Sequence, residues 1–540
     1  MRSFRPLSTS CWALAATLLL ATGCAPQPDA EQGPTPELRR PNVLLLSIDT
    51  LRADHLGSYG YSRDTSPRLD ALAAEGARFE QVYAPTPWTL PSHASLLTGV
   101  HAYDLGMRHK KSGIPDEAPR LARSLAEAGY DTAAWVDSSP NGYVGADRGF
   151  DQGFEQYHHA PHGKDLPYKY DMAVTADRAV EWLEERTGEE PFFLFLHTKS
   201  VHALPPNTPC IDHRCLPYDK PEPYRFRFIA DEQATSTWKG PEMGQGQQYL
   251  WALNRGFLDG SRDPDAFPDS EVEVLQGTYD AGIYYTDEHF GRVLDALQQL
   301  DLYDDTLIVV TSDHGEAFLE HNLLMHQEVY EQAVWVPLIV KPAQVATEGT
   351  DAPTSAVPAG AAEKTSEDPA RSRTSTATVI PGAVIAGTAE LSDIAPTVLE
   401  LLSLPIPAAV TGHALSLAGP MAESLAGPLA ADAPLPPREV FSYYLFPPTF
   451  TYRAFALRHG DYTLIHHNFG DVTTLHPEIF RNGDDPYELT PLDTPEAETI
   501  RTELLSRLRQ RLAQPPLFEP VLVEEDEEAI RELKTLGYID

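Results

Sequence analysis

Five short, almost uninterrupted apolar runs constrain this chain more than anything else in it: residues 43–48 (VLLLSI), 132–136 (TAAWV), 192–196 (FFLFL), 307–310 (LIVV) and 334–340 (VWVPLIV). A strand that is apolar on both faces must be covered on both, the condition met inside a parallel sheet flanked by helices. Helical stretches fall between the runs, at 67–75, 118–128, 173–186 and 279–300. The alternation predicts a doubly wound α/β domain with helices on both faces. In such sheets ligands bind beyond the carboxyl ends of the strands.

The residues that follow the runs carry chemistry. Asp49 closes the first, and Asp313 and His314 follow the fourth, so two strand ends offer two carboxylates and an imidazole to a divalent cation. FFLFLHTKSVH puts His197, Lys199 and His202 beyond a third strand, and HNLLMHQEVYE adds His321 and His326. Their convergence on one sheet edge predicts a site that binds anions and moves protons. The stretch PWTLPSHASLLTG, residues 87–99, reads as a turn and a short apolar helix, with Pro91 in its first turn and Ser92 as a cap. Thr89 at its start, near a cation, has a hydroxyl that can attack phosphorus or sulfur while backbone N–H groups receive the anionic oxygens.

Charge narrows the partners. With 41 basic and 79 acidic side chains the formal net charge is −38, which opposes nucleic-acid binding. An anionic substrate then needs a local positive site, and a metal ion supplies one. Arg2 and Arg5, a short apolar run and Ala21-Thr22-Gly23-Cys24 read as an export signal over residues 1–24 with Cys24 lipidated, as in a bacterial lipobox. Residues 25–40 read as a flexible tether, which would place the protein in the bacterial cell envelope, held to the membrane by its lipid. Cys210 and Cys215 in PCIDHRC read as a local disulfide, with a metal site using His213 as the alternative. The main domain is expected over 41–435, with residues 344–378, poor in large apolar side chains, as a disordered insertion. A smaller C-terminal α+β subdomain, 436–540, is expected to hold antiparallel strands and a helix near 495–512.

The ordered set PNVLLLSIDTLRADHLGSYGY, TPWTLPSHASLLTG, AGYDTAAWV, YDAGIYYTDEHFGRVLDAL, TLIVVTSDHGEAFLEH, ELSDIAPTVLELLSLP and LKTLGYI resembles the sulfatase family of the alkaline phosphatase superfamily, from about residue 41 onward. The resemblance implies an alkaline phosphatase-like fold and one divalent cation, calcium, manganese or zinc, at Asp49, Asp313 and His314, with Thr50 where many members have a second Asp. It places the nucleophile on Thr89. Sulfatases proper carry Cys or Ser there, within C/S-x-P-S-R, and oxidise it to formylglycine; here the pattern is Thr89-Leu90-Pro91-Ser92-His93. Threonine's Cβ carries a methyl and cannot become an aldehyde, so formylglycine-independent chemistry is implied. His93 stands at the Arg position, and His93, His197 and Lys199 are expected to contact substrate. His202 fits a substrate-binding His, although Ser200 replaces the Asp that often precedes it, and His326 aligns with a family Lys.

Asp137 and Ser139 fall where arylsulfatases grip sulfate with Lys and His. Relatives that pair Asp–His metal ligands with a threonine nucleophile process phosphorus esters. The implied activity is therefore hydrolysis or transfer of sulfate- or phosphate-type esters of small molecules, glycans or lipids, with Thr89, His202 and His326 catalytic. A catalytically silent envelope lipoprotein that binds glycans is the alternative, motivated by Asp137, whose charge would oppose an anion. Loops 138–170 and 203–270 are expected to select the leaving group.

Overall fold

The computed structural model describes residues 40–159, 171–204, 216–230, 246–346, 373–375, 381–415, 435–445, 452–469, 473–474 and 476–523. Cys24, Cys210, Cys215, the signal and all of the tether but Arg40 lie outside the described residues. Nine strands form the main sheet: β1 (Asn42–Ile48), β2 (Ala77–Tyr83), β3 (Asp131–Val136), β4 (Gln156–His159), β5 (Phe192–Thr198), β6 (Thr306–Thr311), β7 (Trp335–Val336), β8 (Leu338–Lys341) and β9 (Ala383–Glu390). The order is β7-β2-β8-β6-β1-β5-β3-β4, with β9 also on β2. From β6 to β4 all neighbours are parallel.

The apolar runs are continuous because each strand feeds two cores. In β1, Val43 and Leu45 enter one cluster and Leu44, Leu46 and Ile48 the other, and Phe193/Phe195 against Phe192/Leu194/Leu196 divide β5 in the same way. Strand alternation puts successive side chains on opposite faces. Helices α1 (Pro67–Glu75), α2 (Thr89–Thr98), α3 (Leu121–Glu127), α4 (Met172–Glu185), α5 (Gly246–Leu258), α6 (Asp269–Gln299), α7 (Ile394–Leu401) and α8 (Pro495–Leu512) complete the layers. Helices α2, α3, α7 and α8 pack on the first face, and α1, α4, α5 and α6 on the second. This is the alkaline phosphatase-like α/β fold with helices on both faces.

Some expectations are corrected. The 334–340 run is not one parallel strand: it ends a helical turn at Val334, then forms β7 and β8, both antiparallel to β2, with β8 also antiparallel to β6. Pro337 divides them because it has no N–H for a ladder, and its carbonyl instead accepts from the Thr311 hydroxyl at 2.8 Å. Helix α6 starts ten residues before the expected Tyr279, at Asp269. Within the 344–378 insertion, Gln344–Ala346 pairs antiparallel with Arg373–Ser375, so these ends are ordered. Strand β2, ARFEQVY, was missed because its charged and amide residues interrupt the apolar run.

A separate antiparallel sheet follows, built from Glu439–Leu445, Tyr452–His459, Tyr462–Phe469, Thr473–Thr474 and Glu478–Arg481. Val440, Phe441, Tyr443, Leu457 and Ile479 join the same core as α2 and α7, so this sheet is fused to the main one. Ser442 Oγ donates to the Ala84 carbonyl and the Tyr443 N–H to that of Pro85, tying the second sheet to the turn before α2. Among the described residues no helix is long and apolar enough to cross a membrane.

Candidate active site

Register brings the chemistry together. Ser47 lies opposite His197 on β5 and Thr311 on β6, so Asp49, Asp313 and the His197 segment leave adjacent carboxyl ends. Ser312 clamps two of these ends: its hydroxyl lies 2.6 Å from the Ile48 carbonyl and accepts the Leu51 N–H at 2.9 Å. Thr50 takes a left-handed φ of 63°, uncommon for a β-branched residue, and Tyr279 holds the turn. The Tyr279 hydroxyl donates to the Thr50 carbonyl at 2.6 Å and accepts the Arg52 N–H at 2.9 Å.

Asp49, Asp313 and His314 are fully buried, and their ligand atoms lie within 4.8 Å of one another. Asp313 Oδ1 accepts backbone N–H groups of Thr50 (3.3 Å) and His314 (2.9 Å). Asp313 Oδ2 and Asp49 Oδ1 have no hydrogen-bond partner among the described residues. His314 Nδ1 faces the Gly315 carbonyl at 3.0 Å, an acceptor only, so Nδ1 carries the proton. The Nε2 lone pair therefore points at Asp313 Oδ2 (3.4 Å) and Asp49 Oδ1 (3.6 Å). Unpaired carboxylate oxygens facing an imidazole lone pair in a buried site make a donor set that fits a cation. The Thr50 hydroxyl turns instead to the Asp49 carbonyl, at 2.7 Å.

Helix α2 delivers Thr89. Its Oγ1 is 3.5 Å from Asp49 Oδ2 and 3.5 Å from His314 Nε2. Ser92 does not cap the helix as expected: the helix begins at Thr89, and the Ser92 hydroxyl donates back to the Thr86 carbonyl at 2.7 Å. His93 is buried with both ring nitrogens facing protein atoms, the Thr89 carbonyl (2.9 Å) and Ser47 Oγ (3.0 Å). His197 is buried 3.8 Å from Asp49 Oδ2, with neither ring nitrogen hydrogen-bonded among the described residues.

His202 and His326 stand beside this cluster, with ring centroids 5.1 Å apart and His326 4.4 Å from His314. His202 Nδ1 donates to the Ala203 carbonyl at 2.7 Å, and His326 Nδ1 pairs with Glu316 at 3.2 Å. Burial lowers the imidazoles of His93, His197, His202 (to about 4), His314 and His326, so they are neutral near pH 7. Burial works against ionisation of Asp49, but His202, His197 and His314 hold it well below the usual carboxylate range. Burial, and then the charge on Asp49, push Asp313 up.

Lys199 is buried at the same edge, while His321 lies outside the cluster, bonding the Tyr487 carbonyl and stacking on Tyr330. Glu316, to which the sequence alone assigns no role, is fully buried and raised by burial to about 8. Its one sequence signal is an acid flanked by Gly and Ala two residues past His314. Asp137 corrects a second expectation. Its carboxylate accepts the Thr198 hydroxyl (2.8 Å), the Lys199 backbone N–H (3.0 Å) and the Thr175 hydroxyl (3.4 Å), so it fastens the turn after β5. Ser200 is similarly structural, accepting the Met172 N–H at 2.8 Å.

Comparisons agree with this architecture. The N-acetylglucosamine-6-O-sulfatase of Bacteroides thetaiotaomicron is 25% identical over 374 residues, spanning 60% of this chain and 66% of that relative, just under two thirds of its length. The ulvan-active sulfatase of Formosa agariphila is 25% identical over 507 residues, 88% of this chain and 82% of its own. Among solved structures, the phosphonate monoester hydrolase of Agrobacterium radiobacter superposes with a TM-score of 0.60 at 20% identity, covering 90% of this chain and 100% of its own, a likeness of fold. The family profile described as Sulfatase matches residues 41–404, well over half of the sequence, and the chain belongs to the sulfatase family.

Proposed function

We propose that the chain is a metal-dependent hydrolase or transferase of sulfate- and phosphate-type esters, with phosphorus esters favoured and Thr89 as a formylglycine-independent nucleophile. The observation that carries this reading is the Thr89 hydroxyl 3.5 Å from both Asp49 Oδ2 and His314 Nε2. Asp49, Asp313 and His314 would hold one divalent cation, and two carboxylates with one imidazole accept calcium, manganese or zinc. Thr50 contributes its backbone N–H to Asp313, not its hydroxyl. When bound, such an ion lowers the pKa of an adjacent hydroxyl and neutralises anionic oxygens.

The chain's own residues do the rest. Thr89 Oγ1 attacks the phosphorus; the Oγ1–P bond forms as the bond to the leaving oxygen breaks. The Thr89 proton has Asp49 Oδ2 and His314 Nε2 as acceptors, each at 3.5 Å, and reaches the leaving oxygen through His202 or His326, neutral bases whose Nδ1 atoms are already tied. Backbone N–H groups at the start of α2 have no acceptor within the helix and face the anionic oxygens; Pro91 has none to give. Water then cleaves the Oγ1–P bond and restores the hydroxyl. Lys199 and His197 complete the anion-binding wall.

The silent-lipoprotein reading loses its main support, because Asp137 is occupied by three donors. The names of the N-acetylglucosamine-6-O-sulfatase and ulvan-active relatives favour a glycan ester as the natural substrate. The division into a 41–435 catalytic domain and a 436–540 subdomain, the Cys210–Cys215 disulfide and envelope anchoring through lipidated Cys24 belong to the same proposal. The test is turnover of aryl sulfate, phosphate monoester, phosphate diester and phosphonate ester by protein of known metal content, beside Thr89→Ala. Turnover of a phosphorus ester, lost in the variant, is expected. Full activity in Thr89→Ala, or no bound metal with Asp313 and His314 intact, would refute it.

A further inference from the structure

The imidazole of His93 touches three separate elements of the site. Its Nδ1 lies 2.9 Å from the backbone carbonyl of Thr89, the residue that carries the nucleophilic hydroxyl, and 3.4 Å from Asp313 Oδ2, the carboxylate oxygen left unpaired by the protein. Its Nε2 lies 3.0 Å from Ser47 Oγ, two residues before Asp49 on β1. A carbonyl only accepts, so Nδ1 carries the ring proton and donates it to the Thr89 carbonyl, with Asp313 Oδ2 alongside, and Nε2 is left to accept the Ser47 hydroxyl. The ring is fully buried and braced edge-on by His197, centroids 4.6 Å apart.

We propose that His93 is a positioning residue, a neutral strut that sets the distance from the Thr89 hydroxyl to the Asp49/Asp313/His314 cluster, and that it does not contact substrate. The inference rests on the proposed use of Thr89 as nucleophile. Ser47 fixes the strut to the strand that ends in Asp49, and the ring lies against Asp313 in the loop after β6. The Thr89 carbonyl and hydroxyl belong to one residue, so a first turn of α2 released at the carbonyl swings the hydroxyl as well. The His93 side chain thus ties the first turn of α2 to β1, a link that the hydrogen bonds within the helix do not supply. Misplacement of a reacting atom by about 1 Å is worth on the order of a hundredfold in rate.

The two nitrogens can be separated by substitution. Asparagine carries an amide nitrogen at the position of Nδ1, and glutamine a polar atom at the position of Nε2. His93→Ala is expected to lower kcat about a hundredfold with KM changed less than threefold, and His93→Asn to recover at least tenfold of that loss. His93→Gln, which keeps only the Ser47 link, is expected to recover little. Crystal structures of the three variants supply a readout independent of activity: Thr89 Oγ1 should move by about 1 Å in the Ala and Gln forms and less in the Asn form. Should the Ala form not fold, the Asn and Gln pair makes the same comparison. Equal kcat in all three variants, or an unmoved Thr89 hydroxyl, would overturn the strut. A wild-type protein that turns over no ester would instead count against the proposed function, and the crystal structures would still decide the strut.

Discussion

Replacing Asp313 by asparagine is expected to stabilise the metal-free protein while abolishing its response to metal. The ligand atoms of Asp49 and Asp313 lie within 4.8 Å of each other in a fully buried site. At an effective dielectric of about 20, two unit charges at that separation repel by roughly 3 kcal/mol. The amide keeps the acceptor for the Thr50 and His314 N–H groups, and its NH₂ replaces the unpaired Oδ2, where the His314 Nε2 lone pair at 3.4 Å can accept from it. The sign follows from the raised Asp313: an acid whose folded pKa lies above its unfolded value penalises the folded state increasingly as pH rises from about 4. The variant's advantage therefore grows as pH rises and disappears toward pH 4.

For a chain of this length about 3 kcal/mol corresponds to roughly 3 °C in Tm. The assay is thermal unfolding after chelation and again after titration with manganese, calcium or zinc. A cation present at a hundred times its Kd adds about 2.7 kcal/mol to the wild type. At a thousand times its Kd the gain is about 4.1 kcal/mol, more than the roughly 3 kcal/mol advantage of the variant, so the order of stability should invert at that concentration. A metal-free variant less stable than metal-free wild type, or one that gains as much from metal, would refute the reasoning.

Thr89→Ser, which keeps a hydroxyl and loses only a methyl, should retain turnover within about tenfold, while Thr89→Ala should lose at least a thousandfold; the readout is kcat on the best ester of the panel. Asp137 is raised by burial to about 6, so its stability penalty grows between pH 4 and 6; Asp137→Asn should remove that slope and add roughly 3 kcal/mol above pH 7, read from Tm against pH. Asp137→Ala should instead lose about 2 kcal/mol or more, because the Thr198 hydroxyl and Lys199 N–H are left buried without an acceptor. Tyr279→Phe strands the Arg52 N–H and frees the left-handed turn at Thr50; a loss of about 1–3 kcal/mol by denaturant titration is expected, with weaker metal binding by calorimetry.

The strands β1, β3, β5 and β6, the helices between them and the clustering of Asp49, Asp313 and His314 were legible in the amino-acid sequence, because a strand buried on both faces must be apolar throughout and the polar residue that ends it must lie at the sheet edge. Helix α2 was legible for a similar local reason, with a proline in its first turn and Gly99 at the left-handed position that ends it. Sequence alone could not assign direction to the residues of 334–340, since an apolar run is the same read parallel or antiparallel; β2, β7 and β8 were ordered by pairing across some 250 residues. Nor could it say what a polar side chain faces. Asp137 looked like a charge opposed to the substrate and is a fastener for Lys199; His93 looked like a substrate contact and is enclosed by Ser47, Thr89 and Asp313. Residue type sets which bonds a group can make, whereas only the tertiary structure decides which partners stand within 3 Å of it.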